Sequence, residues 1–500
     1  MRLSWLLLIS LLPITSLAGT DTFYVAIDGD DTTGDGTSAN PWATITHAVD
    51  NATDGSTILV GDGTYNGRVR LRRQFSSQVT VRAQNAYQAR LRHNDGAALI
   101  AFEAKNITVE GLDIAHAPDN SGALVIQIQD LLGDVNGSAG GTDEVVSGIV
   151  LRNNVIHDST NNDLLKVNNG AEDIVIEGNL FYHQSGSDEH IDANSVQNVI
   201  IQDNVFFNTS ARPNTSSFIV IKDSNGDDDT IVGATDITVR RNVFLNWHGS
   251  DGQSFLRIGE DGTPTFEAVG VLAENNLMIG NSAAMARTSF TVMGSNDVVY
   301  RNNTVTGDLP SRSYAARLIA SSQNPLNEDL LLLNNAWSDP TGTMGAEGFN
   351  GVDVFDAPPS QNFSITIDNN AYWNGGSAIP PDTGQFVTVA DDTSAVIGDP
   401  MLPDTASVVA PTYNGSTFAD GSSTINEVFQ NLVANYGMPG PGSSLIDAAD
   451  PGSSSHEDIL GQPRGPMPDI GAVESNPQDL IFIDDFGSVA KVSKRRQFTG

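Results

Sequence analysis

Short stretches that alternate apolar and polar residues recur through the middle of the chain, and each leads into a bend that contains asparagine. Eight of them share one pattern: GIVLRNNVIHD, DIVIEGNLFYH, NVIIQDNVFFN, DITVRRNVFLN, GVLAENNLMIG, DVVYRNNTVTG, DLLLLNNAWSD and SITIDNNAYWN. Alternation with a period of two predicts a β-strand that buries one face. A repeat every 25 to 38 residues indicates a solenoid, and the asparagines that align in it are Asn154, Asn179, Asn204, Asn242, Asn276, Asn303, Asn335 and Asn370.

One such unit cannot bury its apolar face alone, but stacked units can, with Ile, Val and Leu in continuous inner columns. Asparagine suits the bend because it tolerates a left-handed backbone. Side-chain amides about 4.8 Å apart on successive coils can also form a hydrogen-bonded ladder. A β-propeller would need blades of about 40–45 residues, longer than these repeats. The pattern therefore predicts an all-β fold, a right-handed parallel β-helix.

The two ends of the predicted stack differ in sequence from its middle. Trp42, Ile45, Ala48 and Val49 fall on one face of a predicted helix, which would close the first coil. Beyond about Gly376 the repeat fades into sequence rich in Pro, Gly and Ser, which predicts an irregular C-terminal cap. We expect a β-helix domain with its N-terminal cap over residues 19–376, a wrapping segment over 377–480 and a flexible tail over 481–500.

The first 18 residues have the composition of a secretory signal peptide. Arg2 precedes an apolar run from Trp5 to Leu12, and small residues follow at Ser16 and Ala18. A retained N-terminal anchor is the alternative. No later segment approaches the roughly 20 apolar residues that span a bilayer, and cysteine is absent. We therefore expect a secreted protein, extracellular or periplasmic, that neither inserts into a membrane nor uses disulfides.

The net charge of −36 argues against binding to nucleic acid or to an anionic membrane, because both require a basic surface. The basic residues are few but clustered, and seven arginines lie between Arg68 and Arg92. Such a cluster pairs with neighbouring acids or guides an acidic polymer. We expect an anionic polysaccharide as the partner and a monomer as the oligomeric state.

Charged residues gather on one exposed sheet over about four successive coils. When NNDLLKVNNG, SDEHIDANSV and SSFIVIKDSN are aligned by their asparagines, Leu165, Ile191 and Ile219 face inward. Alternation then places a set of cations and acids on one outer face or at the entrance to its strands. This set comprises Lys166, Lys222, Arg257, Asp163, Asp188, Glu189 and Asp192.

Cations beside several carboxylates suit β-elimination in a uronic-acid polymer. A base removes the C5 proton, which becomes acidic once the neighbouring carboxylate is neutralised, and the 4-linked sugar leaves. Calcium prefers oxygen ligands, and we expect it to be held by Asp163, Asp188, Glu189 and Asp192. Lys166 is the first candidate for the base and Lys222 the second, because a nearby cation lowers an amine pKa.

Two further residues complete the predicted site. Arg257 follows on the next coil as a second cation that binds the substrate carboxylate. His190 or His183 is a candidate proton donor to the leaving oxygen, since histidine changes charge near neutral pH. The alternative for these histidines is a structural stack.

Longer segments resemble known β-helix proteins. FYVAIDGDDTTGDGTSANPWATITHAV resembles the N-terminal signature of exported β-helix proteins of the polysaccharide-lyase type. SSLIDAADPG, followed by DILGQPRGPMPDIGAVE, resembles the closing segment of bacterial surface β-helix proteins. Together these segments bracket nearly the whole predicted mature chain. The resemblance implies the β-helix architecture and favours polysaccharide lyase activity.

The head of the central strand resembles two groups of lyases. Chondroitinase-B-like and alginate lyases are similar in EHIDANSVQNVIIQDNVF, but Asn194 stands at their lysine position and Lys222 at their arginine position. Calcium-dependent pectate lyases, which place a lysine beside several aspartates, give a looser match. The matching residues are, for the first group, Glu189, Ile191, Ser195, Asn198, Asn204 and Phe206, and for the second Asp163, Asp188, Asp192 and Lys166.

Three other functions stay open on the same fold. A glycoside hydrolase would use two carboxylates about 5–9.5 Å apart, for which Asp188, Glu189 and Asp192 are candidates. A C5-epimerase shares the proton abstraction and differs in how the carbanion is quenched. A surface adhesin or carbohydrate-binding scaffold needs no catalytic group, and the fold alone does not decide between these functions.

Overall fold

The computed structural model describes residues 21–130, 145–186, 188–209, 215–223, 231–245, 247–248, 254–282, 286–309, 314–345, 353–475, 482–483 and 489–490. The predicted signal peptide over residues 1–18 and most of the predicted tail over 481–500 lie outside the described residues. Within the described ranges, the strands of the repeat form three long sheets in which every pairing is parallel.

The first sheet has 12 described strands and the second has 10. The first consists of Thr22–Val25, Thr57–Val60, Gln74–Ala83, Lys105–Glu110, Ser147–Arg152, Glu172–Glu177, Gln197–Gln202, Ala234–Arg240, Ala268–Glu274, Asn296–Arg301, Glu328–Leu333 and Ile365–Asp368. The second consists of Val69–Leu71, Leu99–Phe102, Ile126–Gln129, Leu165–Asn168, Glu189–Asn194, Ser217–Lys222, Ser254–Ile258, Thr288–Met293, Tyr314–Ile319 and Phe355–Asp356.

The third sheet has 12 described strands. They are Gly63–Asn66, Ala89–His93, Asp113–His116, Val155–His157, Leu180–Tyr182, Val205–Phe207, Val243–Leu245, Leu277–Gly280, Thr304–Gly307, Ala336–Asp339, Ala371–Asn374 and Val396–Ile397. A separate antiparallel pair joins Phe482–Ile483 to Val489–Ala490. Each coil gives one strand to each long sheet in turn, so the prediction of a right-handed parallel β-helix is confirmed.

The predicted asparagine ladder is present over all eight repeats. In each step, from Asn154 to Asn370, the backbone N–H donates to the side-chain Oδ1 of the next ladder asparagine at 2.9–3.0 Å. The side-chain Nδ2 donates to the same oxygen at 2.9–3.1 Å. Asp392 ends the ladder by accepting both donors of Asn370 through Oδ2 at 2.9 Å.

Of the two roles predicted for asparagine at the bend, the hydrogen-bonded ladder is confirmed and the left-handed backbone is not. The residue before each ladder asparagine, and not the ladder asparagine itself, adopts the left-handed conformation, with φ between 50° and 65°. Asn153, Gly178 and Asp203 are examples. Seven of the eight are glycine, asparagine or aspartate, which tolerate this conformation, and the eighth is Arg241. The ladder asparagine is retained because its amide satisfies a buried backbone N–H and a buried carbonyl of the preceding coil, as Asn179 does for Asn154 and Leu151.

The interior is a continuous apolar core, and aromatic rings stack along it. Phe206 lies 5.0 Å from Phe181 on one side and 5.0 Å from Phe244 on the other, measured between ring centroids. All three side chains are fully buried. Residues at equivalent positions of successive coils therefore pack on one another, as a solenoid requires.

A short helix closes the N-terminal end, as predicted. It spans Ile45–Asn51, buries Ile45, Ala48 and Val49, and has Thr44 as its N-cap. Trp42 precedes the N-cap residue Thr44, so it does not lie on the helix, in contrast to the prediction. Trp42 is buried instead against Phe23, with ring centroids 5.1 Å apart.

The C-terminal segment does more than close the last coil. Val387 packs on the core at that end, between the short 3₁₀ turns Pro359–Gln361 and Val389–Asp391. The chain then returns along the outside of the third sheet, where the helix Ile425–Leu432 continues into a π-helical turn over Val433–Gly437. In the described part of the chain, no helix is both long and apolar enough to span a bilayer.

The returning segment covers the outer face of the third sheet with apolar contacts. Val428 and Phe429 pack on a cluster that includes Leu180 and Val205. Nearer the N-terminal end of the β-helix, Gln88 Nε2 donates to Tyr413 Oη at 2.9 Å, which connects the segment to an early coil. The returning segment therefore covers the outer face of the third sheet over these coils.

Candidate functional site

A column with charged side chains on three of four successive coils runs along the outer face of the second sheet. The strand register pairs Lys166 with Asp192, Asp192 with Val220, and Val220 with Arg257 on four successive coils. Leu165 pairs with Ile191 in the buried column beside it. The coil alignment predicted from the asparagines therefore agrees with the observed register.

Lys166 and Asp192 form a close ion pair between adjacent coils. Lys166 Nζ donates to Asp192 Oδ2 at 2.6 Å, and the Asp192 side chain is only 3% exposed. Burial alone would lower the pKa of the Lys166 amine, but the carboxylates of Asp192 and Asp163 outweigh it and raise this pKa. The amine is therefore an ammonium ion in the absence of another cation.

Three carboxylates converge where these strands begin. One oxygen each from Asp163, Asp188 and Glu189 lies within 4.8 Å of the others. Two of the side chains are anchored, since Asp163 Oδ1 accepts the Glu189 backbone N–H at 2.9 Å and Asp188 Oδ2 accepts Asn162 Nδ2 at 2.8 Å. We call these three residues the acidic cluster.

The acidic cluster is electrostatically costly without a cation. Burial, followed by repulsion from Asp192, raises the pKa of Asp163 to about 7. Burial and the Asp163 carboxylate raise the pKa of Glu189 well above its usual value, and burial also raises that of Asp188. Buried carboxylates this close fit a hard divalent cation that takes oxygen ligands. The residues present therefore fit calcium.

Asp192 belongs to the same face but is not part of the compact cluster. Its carboxylate is bonded to Lys166, and Asn194 Nδ2 donates to both of its oxygens at 3.3 Å. Of the four acids predicted to bind metal, the structure thus groups three, and it pairs the fourth with the Lys166 amine.

Lys222 and Arg257 share a carboxylate that the sequence analysis missed. Glu260 accepts Lys222 Nζ at 2.8 Å and Arg257 Nη1 at 2.8 Å. Asp261 lies 3.4 Å from Lys222 Nζ. Burial would lower the pKa of Lys222, but Asp192 and Glu260 raise it strongly. The stretch SFLRIGEDG carried the signal, because its two acids follow Arg257 directly.

His190 is not on this face, in contrast to the prediction. Its ring is fully buried, lies 4.7 Å from the Phe218 ring, and has Nε2 3.1 Å from Asn208 Oδ1. Burial lowers the pKa of His190 to about 3. Each of these strands begins at a corner where two successive side chains point inward, such as His190 with Ile191 and Phe218 with Ile219. His190 is therefore removed from the candidate catalytic residues.

A second polar cluster lies on the third sheet, away from the lysines. His157 contacts Asp113 through Nε2 and Asp158 through Nδ1, both at 2.9 Å. Asp158 also lies 3.0 Å from His183 Nδ1, and Arg92 pairs with Asp113 at 2.7 Å. These contacts join several coils and engage His183 in structural bonds, so we do not place it in the candidate site.

Comparison with solved structures supports the fold. The chain is similar to pectate lyase Pel9A, with a TM-score of 0.52 and 14% identity over 92% of this chain and 97% of that one. It is also similar to the GH136 lacto-N-biosidase from Eubacterium ramulus, with a TM-score of 0.50 and 12% identity over 75% of this chain and 67% of that one. The PL6 family alginate lyase AlyGC gives a TM-score of 0.39 and 15% identity over 74% and 54%.

Comparison of the sequence with known families and proteins does not assign the chain to a family. No protein-family model matches the chain, and no curated protein matches it significantly. The structural neighbours with a TM-score of at least 0.50 include a pectate lyase. At such low identity they establish the architecture, while the chemistry has to be argued from the residues of this chain.

Proposed function

We propose that the protein is a secreted polysaccharide lyase that cleaves a uronic-acid polymer by calcium-assisted β-elimination. One observation carries the proposal: the Lys166 amine is bonded to Asp192 on the face that also holds the acidic cluster. An amine and a compact set of oxygen ligands are the two elements that this reaction needs. Both lie on an outer face of the β-helix.

The acidic cluster is the proposed calcium site, with Asp192 as an additional ligand. Its oxygens are close enough to share one cation. Calcium bound there would neutralise the substrate carboxylate and so acidify the C5 proton. Of the three acids in the cluster, Glu189 most needs a cation to stabilise its ionised form. It is buried, and its carboxylate accepts no hydrogen bond from the described residues.

The lysines are the proposed bases, with Lys166 first and Lys222 as the alternative. The base takes the C5 proton, the electron pair forms the C4–C5 double bond, and the C4–O bond breaks. The leaving oxygen takes a proton from solvent. Arg257 binds the substrate carboxylate, for which its guanidinium geometry is suited. The raised pKa of each amine keeps it protonated unless the local negative charge is reduced.

The products formed from a panel of polymers test this proposal. Polygalacturonate, alginate and chondroitin sulfate are each incubated with the protein in calcium and then in EDTA, while ultraviolet absorbance and reducing ends are followed. Calcium-dependent absorbance from an unsaturated uronate is expected. Reducing ends without absorbance would indicate a hydrolase, epimerised residues without cleavage a C5-epimerase, and binding without any product a scaffold. Each of these three results would contradict the lyase proposal.

A further inference from the structure

A second polar column runs beside Lys166 on the outer face of the second sheet. The register pairs Gln129 with Asn168, and Asn168 with Asn194, on three successive coils. Lys222 follows on the next coil. Alternation places these side chains outside, because each lies two residues beyond another outward-facing position, as Asn168 does beyond Lys166. We call Gln129, Asn168 and Asn194 the amide column.

The amide column differs from the asparagine ladder in its hydrogen bonds. In the ladder, each Oδ1 accepts two donors from the coil before it, whereas Asn168 and Asn194 turn their NH₂ groups to other neighbours. Asn168 Nδ2 donates to Asn169 Oδ1 at 3.1 Å. Asn194 Nδ2 donates to both carboxylate oxygens of Asp192 at 3.3 Å. The Oδ1 atoms of both column asparagines accept no hydrogen bond from the described residues.

Both unpaired amide oxygens are buried. Asn168 is 7% exposed and Asn194 is 2% exposed. A buried acceptor without a donor is unfavourable, and native proteins contain few of them. The orientation of the Asn194 amide is determined by its partner, because an ionised carboxylate such as that of Asp192 accepts hydrogen bonds and cannot donate them. A ligand that donates hydrogen bonds would therefore satisfy two oxygens that the fold leaves unpaired.

Gln129 adds hydrogen-bond donors to the column. Its Oε1 already accepts a hydrogen bond from Gln127 Nε2. Its own NH₂ group donates no hydrogen bond to the described residues, and the side chain is partly exposed. The column therefore presents both acceptors and donors without carrying a charge. Sugar hydroxyls match such a surface, because each hydroxyl both donates and accepts.

The position of the amide column fits the shape of a uronate ring. Asn168 lies two residues beyond Lys166, which is about 6.6 Å along the strand. In a pyranose uronate, the C2 hydroxyl lies across the ring from C5, which carries the carboxylate, and the C3 hydroxyl lies beside it. A ring whose carboxylate faces Lys166 and the acidic cluster would therefore turn these hydroxyls toward the amide column. Successive coils, about 4.8 Å apart, would contact successive sugars.

We propose that the amide column binds the C2 and C3 hydroxyls of the uronate chain, so that the site selects polymers whose hydroxyls are unsubstituted. This inference rests on the proposed lyase function for its substrate class. O-acetylation removes the hydroxyl hydrogen that Asn168 or Asn194 would accept, and it adds bulk at the same place. The three residues of the column determine specificity and take no part in breaking the C4–O bond.

Binding of one oligosaccharide with and without O-acetyl groups tests the amide column. Dissociation constants of polygalacturonate oligosaccharides and of their acetylated forms are measured in EDTA, which prevents calcium-assisted cleavage. In calcium, the same comparison uses KM if the protein cleaves them and the dissociation constant if it does not. Asn168→Ala should weaken binding of the unmodified form about fivefold, as expected for one neutral hydrogen bond. The double variant Asn168→Ala, Asn194→Ala should weaken it about tenfold or more.

The acetylated form shows whether the lost contact is to a hydroxyl. Wild type should bind it about as weakly as the double variant binds the unmodified form, and the double variant should lose little further affinity for it. Equal losses for both forms would overturn the hydroxyl assignment. Loss of the calcium-dependent rise in unfolding temperature in Asn168→Ala would also overturn it, because the amide oxygen would then bind the cation.

Asn85→Ala is the matched control, because Asn85 is an exposed asparagine bonded to Asp62. It should leave binding of both forms unchanged. Thermal unfolding verifies that each variant is folded, and Gln129→Ala provides a second variant at a partly exposed side chain that should also weaken binding of the unmodified form. If Asn168→Ala and Gln129→Ala both bind that form as tightly as Asn85→Ala does, the inference is wrong.

The results separate the amide column from the lyase proposal. Amide-dependent binding of unmodified uronates without any unsaturated product would retain the column and reject the lyase. Unsaturated product with the same preference for unmodified polymer in wild type and the double variant would retain the lyase and reject the column.

Discussion

Lys166 Nζ donates to Asp192 Oδ2 at 2.6 Å across two adjacent coils of the β-helix. The three residues of the acidic cluster lie on the same two coils. Together with Asp192 they place four carboxylates beside one amine on a small area of the outer wall. Such a concentration of buried charge is unfavourable for stability unless a ligand compensates it.

Calcium should stabilise the protein through the acidic cluster. A cation that binds the folded state alone adds about 2.7 kcal/mol at 100 times its dissociation constant. Glu189→Gln should abolish this gain. In EDTA, the same variant should unfold at or above the wild-type temperature, because it removes a buried carboxylate that accepts no hydrogen bond from the described residues.

Thermal unfolding in EDTA and in calcium measures both effects. Glu177→Gln is the control, since Glu177 pairs with Arg152 on the first sheet at 2.8 Å, and it should retain the full calcium response. Equal calcium responses in wild type and Glu189→Gln would rule out the acidic cluster as the binding site.

The asparagine ladder should contribute strongly to stability. Asn204→Ala removes the oxygen that accepts both the backbone N–H and the Nδ2 of Asn179. Because these buried donors lose their partner, we expect a loss of at least ~2 kcal/mol of unfolding free energy. Urea unfolding measures it. Asn85→Ala, at an exposed asparagine bonded to Asp62, should cost far less, and similar losses in both variants would refute the role of the ladder.

The contacts of His157 should make stability depend on pH. Burial would lower the pKa of His157, but Asp113 and Asp158 raise it. A raised histidine pKa stabilises the fold below the unfolded value of about 6.5, and this stability is lost as pH rises through the folded value. The pKa of Asp158 is lowered, since hydrogen bonds from His157 and His183 outweigh its burial. The stabilisation by Asp158 is therefore present above the unfolded aspartate pKa of about 3.9 and is lost as pH falls further.

Unfolding free energy measured across pH should therefore be highest, for this cluster, between about 4 and 6.5. It should decline as pH rises above that range. His157→Gln should flatten the decline, whereas His456→Gln, at an exposed histidine, should not. A decline of the same slope in His157→Gln would show that another group causes it.

Much of the fold can be predicted from the sequence, because each coil repeats one local pattern. The eight ladder asparagines and the alternation beside them determine the register that joins Lys166 to Asp192. The path of the C-terminal segment could not be predicted in this way. Its packing against Leu180 and Val205 joins residues more than 200 positions apart, and no periodic signal links them.

Two features of the candidate site were not predicted, and each lies outside the regular alternation of a strand. Strict alternation places His190 outside, but the strand begins at a corner where two successive side chains face the core. The same corner carries paired apolar residues on neighbouring coils, such as Phe218 with Ile219 and Phe255 with Leu256. Comparing these coils position by position would have identified His190 as a core residue. Glu260 was missed because it follows the strand that the alternation describes.

The rate of unsaturated-product formation by lysine variants tests the central claim most directly. The polymer that the wild type cleaves best is used, in saturating calcium, with Lys105→Ala as the control at an exposed lysine of the first sheet. Lys166→Ala should lower kcat by at least the ~100-fold typical of a lost general base, and Lys105→Ala should not. A comparable loss in Lys222→Ala alone would assign the base to Lys222. Full activity in both Lys166→Ala and Lys222→Ala would contradict the account.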